Sequence, residues 1–214
     1  MAILKIISYK IATFDNKMTI QILNNIKQYV TLNATEEKAF TDILEIKQLK
    51  KKEFLLQEGK TCDKIYFINK GCLRLFHVND VHINNCNENT LEFLFANTWY
   101  TDFQSFLLNQ PTDENVQALE KSEIVQFSIK DLDNLYLIYP VFERMGRLLI
   151  QNALISLTNL NKEIVNETPS ERYLKILNQQ PEIVQQIPQY YIAEFLGIKR
   201  ESLSRIKKRI LKQL

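Results

Sequence analysis

The sequence predicts an α+β fold: an N-terminal antiparallel β-barrel or jelly roll, then a long helix, then a C-terminal helical domain. Three observations predict it. Short alternating apolar runs crowd residues 49–130, helical spacing returns from residue 131, and a glycine-jointed helix pair with a basic second member follows. An apolar content of 45% and a charged content of 24% belong to a folded chain, and four glycines with five prolines are too few for a collagenous or low-complexity one.

Residues 18–48 carry helical patterning. Asn33 followed by Glu36 fits a capping box, with Phe40, Ile43 and Leu44 as an apolar stripe behind it. The patterned sequence begins at Met18, which suggests that residues 1–17 derive from an upstream start codon. The leading MAILKIISYKIATF is apolar, but Lys5 and Lys10 interrupt it and no small-residue cleavage site follows, so it does not read as a signal peptide. No run approaches the ~20 apolar residues of a membrane span. Cys62, Cys72 and Cys86 are odd in number and contain no CxxC pair, which fits reduced thiols in a cytoplasmic protein.

Residues 49–130 contain the runs EFLLQEG, KIYFINKG, LRLFHV, TLEFLF and EIVQFSI. Glu58-Gly59, Lys70-Gly71 and Asn79-Asp80 separate them as turns, the pattern of an antiparallel barrel or sandwich. Packing against the flanking helices would help so small a barrel to bury its core.

Residues 131–165 return to helix. A short helix starts at Asp131 and ends at Pro140, and a long one runs from about Val141 to Val165. Within it Ile150, Ala153, Leu157, Leu160 and Ile164 step by 3, 4, 3, 4, the seam along which two helices pair. The same spacing also suits one helix covering its own domain. A second stripe, Phe142, Met145 and Leu149, is rotated away and faces the barrel. Thr168-Pro169-Ser170-Glu171 then starts a new helix with Pro169 near its first position.

The most specific pattern is QYYIAEFLGIKRESLSRIKK, residues 189–208. Two helices crossing tightly need a small residue at the crossing, Ala193, and a turn residue that tolerates positive φ, Gly197. Ile192, Leu196, Ile198, Leu203 and Ile206 fill the interior. Opposite that apolar side lie Arg200, Glu201, Ser204, Arg205 and Lys208. Arg can give two donors to guanine, Glu can accept from cytosine N4, and Ser can do either. Lys199, Lys207, Lys208, Arg209 and Lys212 are placed to neutralise phosphates. From Lys199 to Leu214 seven Lys or Arg face one acid, Glu201, so this stretch carries +6 in a chain of net +2 and the remainder carries −4. A basic end on a mildly acidic body points to a nucleic-acid surface, and the helix pair that carries it points to double-stranded DNA.

The order of barrel, long helix and terminal helix-turn-helix resembles the Crp/Fnr family of bacterial regulators over roughly residues 20–214. Arg200 to Arg205, R-E-S-L-S-R, looks like that family's recognition-helix core. Glu201, Ser204 and Arg205 match the E-x-x-S-R pattern of Fnr-like members, and Arg200, Glu201 and Arg205 match the R-E-x-x-x-R pattern of the cyclic-AMP receptor type. The resemblance implies a barrel of the cyclic-nucleotide-binding type and a homodimer reading a palindrome with TGA-like half-sites. It also implies RNA polymerase as a partner if the protein activates transcription. Few residues follow the second helix, so DNA contacts from a β-wing are not expected.

The family's cyclic-nucleotide branch holds ribose through a Gly-Glu pair and phosphate through an Arg-Ser pair. Thr101-Asp102 stands at the first place and Thr112-Asp113 at the second, and no Arg lies between Arg74 and Arg144. A buried phosphate monoanion needs a guanidinium or an array of N–H donors. Asp113 and Glu114 would repel it, although Asp102 could still hold a ribose. Ser156 and Thr158 on the long helix are further polar candidates for a pocket that takes another small effector, or none.

His77, His82 and Cys86 read as part of a solvated hairpin loop and lack a fourth zinc ligand, so no metal is expected. The cysteine-free first 61 residues exclude an Fnr-type iron–sulfur cluster. No P-loop, G-x-S-x-G or H-E-x-x-H is present, which argues against an enzyme, and no cofactor is expected. The expected organisation is a sensor domain over 18–140, a dimerisation helix over 141–166 and a DNA-binding domain over 167–214. Two alternatives stay open. In one the C-terminal helices serve a protein partner instead of DNA; in the other DNA binding is constitutive and the barrel only a scaffold.

Overall fold

The computed structural model describes residues 19–83, 86–179 and 181–211. The reading of residues 1–17 lies outside them. Two compact units emerge, one joining Leu94–Asn152 to the chain before Arg74, the other joining Arg74–Phe93 to Ala153–Leu214.

Residues 19–26 form α1 and Ala34–Asp42 form α2. The capping box is present: Asn33 Oδ1 accepts from the Thr35 and Glu36 amides, and Glu36 takes the Asn33 amide at 2.8 Å. Helix does not extend to residue 48 as expected. Ile43 caps α2, and Glu45–Leu49 is strand β1, paired antiparallel with Ser122–Ser128, strand β8. Tertiary pairing overrides the helical spacing there.

The intervening strands are β2 (Phe54–Leu56), β3 (Lys64–Lys70), β4 (Cys72–Ile83), β5 (Cys86–Phe95), β6 (Trp99–Tyr100) and β7 (Asn115–Ala118). They form two four-stranded sheets, ordered β1-β8-β3-β6 and β2-β7-β4-β5. The result is the jelly-roll type of double sheet that the sequence predicts. Asn79 and Asp80 do not make a turn but lie inside β4. His77 and His82 also lie on β4, and Cys86 opens β5, so the expected loop is instead a long hairpin. Strand pairing uses backbone groups, which polar side chains do not remove. Of the expected turns, Glu58-Gly59 and Lys70-Gly71 hold, with Gly59 and Gly71 both at positive φ.

The core of the first unit forms where helices close the β1-β8-β3-β6 sheet. Ile22, Ile26 and Phe40 meet Phe67, Val125 and Phe127, with Leu132 and Leu135 from α4 (Ile129–Ile138) and Phe142 and Met145 from α5 (Pro140–Asn166). Phe40 sits edge-on to Phe127 at 5.4 Å and stacks on Phe142 at 5.7 Å. The expected second stripe of the long helix thus packs into this core, with Leu149 half-buried beside it. Cys62 and Cys72 are buried free thiols. Burial and the nearby Glu120 charge push the Cys72 thiol up to about 12, so it stays protonated and inert. No helix among the described residues is long and apolar enough to cross a membrane.

Gly71 joins β3 to β4 at φ +101, where a Cβ would come within 2.8 Å of the Ser122 Cα. Backbone cannot yield as a flexible side chain does. Gly71→Ala should therefore destabilise the protein by about 2 kcal/mol or more, combining a forbidden φ with a backbone clash. Urea unfolding checks this, and a loss below about 0.5 kcal/mol would contradict it.

Candidate DNA-reading surface and barrel pocket

In the second unit, α6 (Pro169–Gln179) starts where Thr168-Pro169-Ser170-Glu171 predicts it. Glu171 accepts from the Thr168 amide and hydroxyl, while the Glu171 amide donates to Thr168 Oγ1. Those two donors hold the Glu171 carboxyl below the ordinary range. After α7 (Pro181–Gln186) come α8 (Gln189–Phe195) and α9 (Arg200–Leu211).

The turn between α8 and α9 is a Schellman motif. The Ile198 amide reaches the Ala193 carbonyl at 2.9 Å, and the Gly197 amide reaches that of Glu194 at 2.8 Å. Gly197 has φ +68, and a Cβ there would meet nothing within 4 Å. Glycine is needed for its dihedral, not for space. Ile192, Ala193, Leu196, Leu203, Ile206 and Ile210 are all buried, and Ile198 is half-buried.

Burying that side of α9 turns Arg200, Glu201, Ser204, Arg205, Lys208 and Arg209 outward, with Lys199 exposed just before them and Lys207 half-buried. Three of these cations have neighbours. Arg200 lies over the Tyr190 ring at 4.9 Å, Arg205 donates to Ser202 at 3.2 Å, and Arg209 donates to Ser170 at 2.5 Å. Glu201 is the sole acid of α9, so the face is basic and rich in hydrogen-bond donors. The Lys212 side chain lies outside the described residues.

Along α5, Ile150, Ala153, Leu157 and Ile164 are exposed and Leu160 is half-buried; Ile150, Leu157 and Ile164 keep 53%, 55% and 52% of their surface. Ser156 and Thr158 are exposed as well, and the Thr158 hydroxyl turns back to the Leu154 carbonyl. Among the described residues, no cluster of His, Cys, Asp and Glu could hold a metal.

The barrel pocket candidates are already engaged. Asp102 caps α3 (Phe103–Leu108), its Oδ1 accepting from the Gln104 and Ser105 amides at 2.9 and 3.0 Å. Thr101 donates to the Lys64 carbonyl. Thr112 is buried, exchanges backbone hydrogen bonds with Lys60 and Gly59, and accepts the Glu114 amide on its hydroxyl. Asp113 is exposed beside it. Glu114 accepts the Tyr100 hydroxyl at 2.5 Å. A cyclic phosphate does not fit this stretch. Residues 99–119 contain no Lys or Arg, and the amides that open α3 already face a carboxylate.

Residues 46–139 match the family model described as Cyclic nucleotide-binding domain. The barrel is a domain of that type. No curated protein sequence matches the chain. Among solved structures, CLP, the c-di-GMP-responsive global regulator of Xanthomonas campestris, is similar at 14% identity and TM-score 0.63, covering 85% of this chain and 93% of CLP. A CooA variant from Carboxydothermus hydrogenoformans gives 17% and 0.60, covering 80% of this chain and 78% of CooA. FixK2 from Bradyrhizobium japonicum gives 13% and 0.64, covering 80% and 86%. These likenesses show the fold, a cyclic-nucleotide-binding-type jelly roll followed by C-terminal helices as in Crp/Fnr regulators.

The sequence reading missed Arg74 and its partners. Arg74 is fully buried and pairs with Glu194 of α8 at 3.0 Å. The available signal was an arginine set inside the apolar strand run LRLF.

Tyr66 and Tyr100 stack at 6.1 Å in the barrel-type domain. Burial first, then the charge of Glu114, raises the Tyr100 phenol far above its usual range; burial does the same for Tyr66. The folded state thus holds protons that the unfolded chain releases near pH ~10. Stability is fully present below that pH and falls as pH rises past it. Denaturant unfolding at pH 8 and at about pH 10.5 should show the drop, and Tyr100→Phe should lessen it. An undiminished drop in Tyr100→Phe would assign the effect elsewhere.

Proposed function

We propose that this chain is a non-enzymatic, sequence-specific DNA-binding transcription regulator of the Crp/Fnr type, acting in the cytoplasm as a homodimer. The observation that carries the reading is the outward face of α9, where Arg200, Glu201, Ser204 and Arg205 stand clear of the packed apolar side. Its residues combine bidentate donors, an acceptor and a hydroxyl on one helix, which is the chemistry of major-groove readout. Lys199, Lys207, Lys208 and Arg209 flank them as phosphate ligands. The helix-turn-helix packing supports this role.

The dimer is inferred from Ile150, Ala153, Leu157, Leu160 and Ile164. Ile150, Leu157 and Ile164 are exposed large apolar side chains that need cover, and a second copy of the same helix supplies it at heptad spacing. Two-fold symmetry then implies a palindromic site whose half-sites lie about 34 Å apart. Within this reading, 18–140 senses, 141–166 dimerises and 167–214 reads DNA. RNA polymerase is a partner if the outcome is activation. The effector is a small molecule other than cyclic AMP. The self-satisfied stretch around Asp102, Thr112 and Glu114 also favours a second form of the reading, in which binding is constitutive.

Selection of duplexes from a random pool tests the function. A palindromic, TGA-containing motif recovered equally with and without cyclic AMP is expected. Dependence on cyclic AMP would refute the pocket argument, and no enrichment would favour a protein partner for α8 and α9.

On the selected duplex, Arg205→Ala should cost about 1–3 kcal/mol and relax preference at one base pair. Lys207→Ala should weaken all duplexes alike and reduce the salt slope by about one. Identical behaviour of the two variants would undo the division into base-reading and phosphate contacts.

Leu157→Glu combined with Ile164→Glu should convert the dimer to a monomer in sedimentation velocity. A wild-type monomer, or a dimer untouched by both charges, would remove the seam.

A further inference from the structure

We propose that Arg74 is a positioning residue for DNA reading, clamping α8 so that Tyr191 and Tyr190 hold Arg200 at the head of α9. The inference rests on the DNA-reading assignment above and adds a residue remote from the reading face.

An arginine with 0% exposure is costly to bury, and each of its three guanidinium nitrogens has an acceptor. Nε donates to Thr90 Oγ1 at 2.8 Å, Nη1 to Glu88 at 2.6 Å and Nη2 to Glu194 at 3.0 Å. Its planar group also lies over Phe76 at 4.1 Å and Tyr191 at 3.9 Å. Thr90, having accepted from Arg74, donates to Glu194 at 2.8 Å. Phe93 packs on Phe195 at 5.5 Å. Arg74 of β4 with Thr90 and Phe93 of β5 therefore grip α8 through an ion pair, a hydrogen bond, a cation–π contact and an aromatic pair. All of these lie within one compact unit.

Charge explains why the grip depends on Arg74. Glu88 comes from the hairpin and Glu194 from α8, and Glu194 is only 10% exposed. Without a cation between them, the two carboxylates would repel, and the largely buried Glu194 charge would keep only the Thr90 hydroxyl as a partner. A lysine lacks the flat fork that reaches three acceptors while stacking on rings.

From the grip, a path of contacts leads to the reading helix. Tyr191 lies under Arg74, the Tyr190 ring is 4.0 Å from that of Tyr191, and Arg200 lies over Tyr190. The clamp seizes α8 and leaves Glu201, Ser204, Arg205 and Lys208 exposed. It orients the reader without covering it, so its loss weakens DNA binding.

The test measures fluorescence anisotropy on the selected duplex and on a scrambled one for wild type, Arg74→Met, Arg74→Lys and Tyr190→Leu. Hydrogen exchange of residues 189–195 is followed in the DNA-free proteins. Arg74→Met and Arg74→Lys should raise that exchange, leave residues 64–70 protected, and lose about tenfold in affinity for the selected duplex only. Tyr190→Leu should show a similar loss with wild-type unfolding and exchange, which a purely structural role does not produce. Should Arg74→Met fail to fold, Tyr190→Leu decides. Wild-type affinity in Tyr190→Leu overturns the path to Arg200, and unchanged or tighter binding by Arg74→Met overturns the clamp. If wild type itself binds no duplex, the DNA reading falls and takes this inference with it, a result distinct from failure of the variants alone.

Discussion

Phe127 on β8 receives the ring of Phe40 from α2, and Phe40 stacks on Phe142 of α5. A double sheet of this size cannot enclose its own apolar surface, because its strands are short and one face of each sheet must be covered from outside. The aromatic contact among strand, N-terminal helix and long helix supplies that cover. Trp99 extends it, packing on Phe67 at 4.9 Å while its indole N–H reaches Asn25 Oδ1 at 2.7 Å. Residues of α1, α2, β3, β8, α4 and α5 meet in this cluster. It also commits one stripe of α5 to the barrel, so that the seam residues of the same helix point elsewhere.

The barrel-type domain keeps the architecture associated with nucleotide binding, but its polar groups serve the protein itself. Asp102 spends its charge on the first turn of α3, and Ser105 bridges the Cys62 amide and the Gln110 carbonyl. Glu114 and Tyr100 answer one another. A loop whose donors and acceptors are already satisfied holds its shape without a ligand. An anionic ligand would meet the carboxylates of Asp102, Asp113 and Glu114 in this stretch. The electrostatics of these side chains, more than the outline of the fold, thus decide which ligand chemistry suits the domain.

In the second unit, the apolar packing and the charge distribution do different work. Leu203, Ile206 and Ile210 fix the rotation of α9 about its axis, which makes Arg205 an outward group. The Schellman turn at Gly197 fixes the direction in which α9 leaves α8. Basic residues without that framework would form only a solvated charged face. Arg74 is the reverse case, a charge placed inside because two carboxylates and two rings converge on it.

What the sequence determined by itself were the features written in local chemistry. The Asn33–Glu36 capping box, the helix start at Thr168, the turns at Gly59 and Gly71, the positive-φ turn at Gly197 and the two faces of α9 follow from neighbouring residues, and each was legible. The limits of strands were not. Glu45–Leu49 carries helical spacing yet pairs with β8, and Asn79-Asp80 carries turn chemistry yet continues β4. In both, backbone pairing with distant strands outweighs a local preference worth about 1 kcal/mol or less. The Arg74 cluster was equally hidden, since Glu194 lies 120 residues away. Only the tertiary structure brings such charges together, because burial pairs groups by position in space and leaves no spacing in the chain to read.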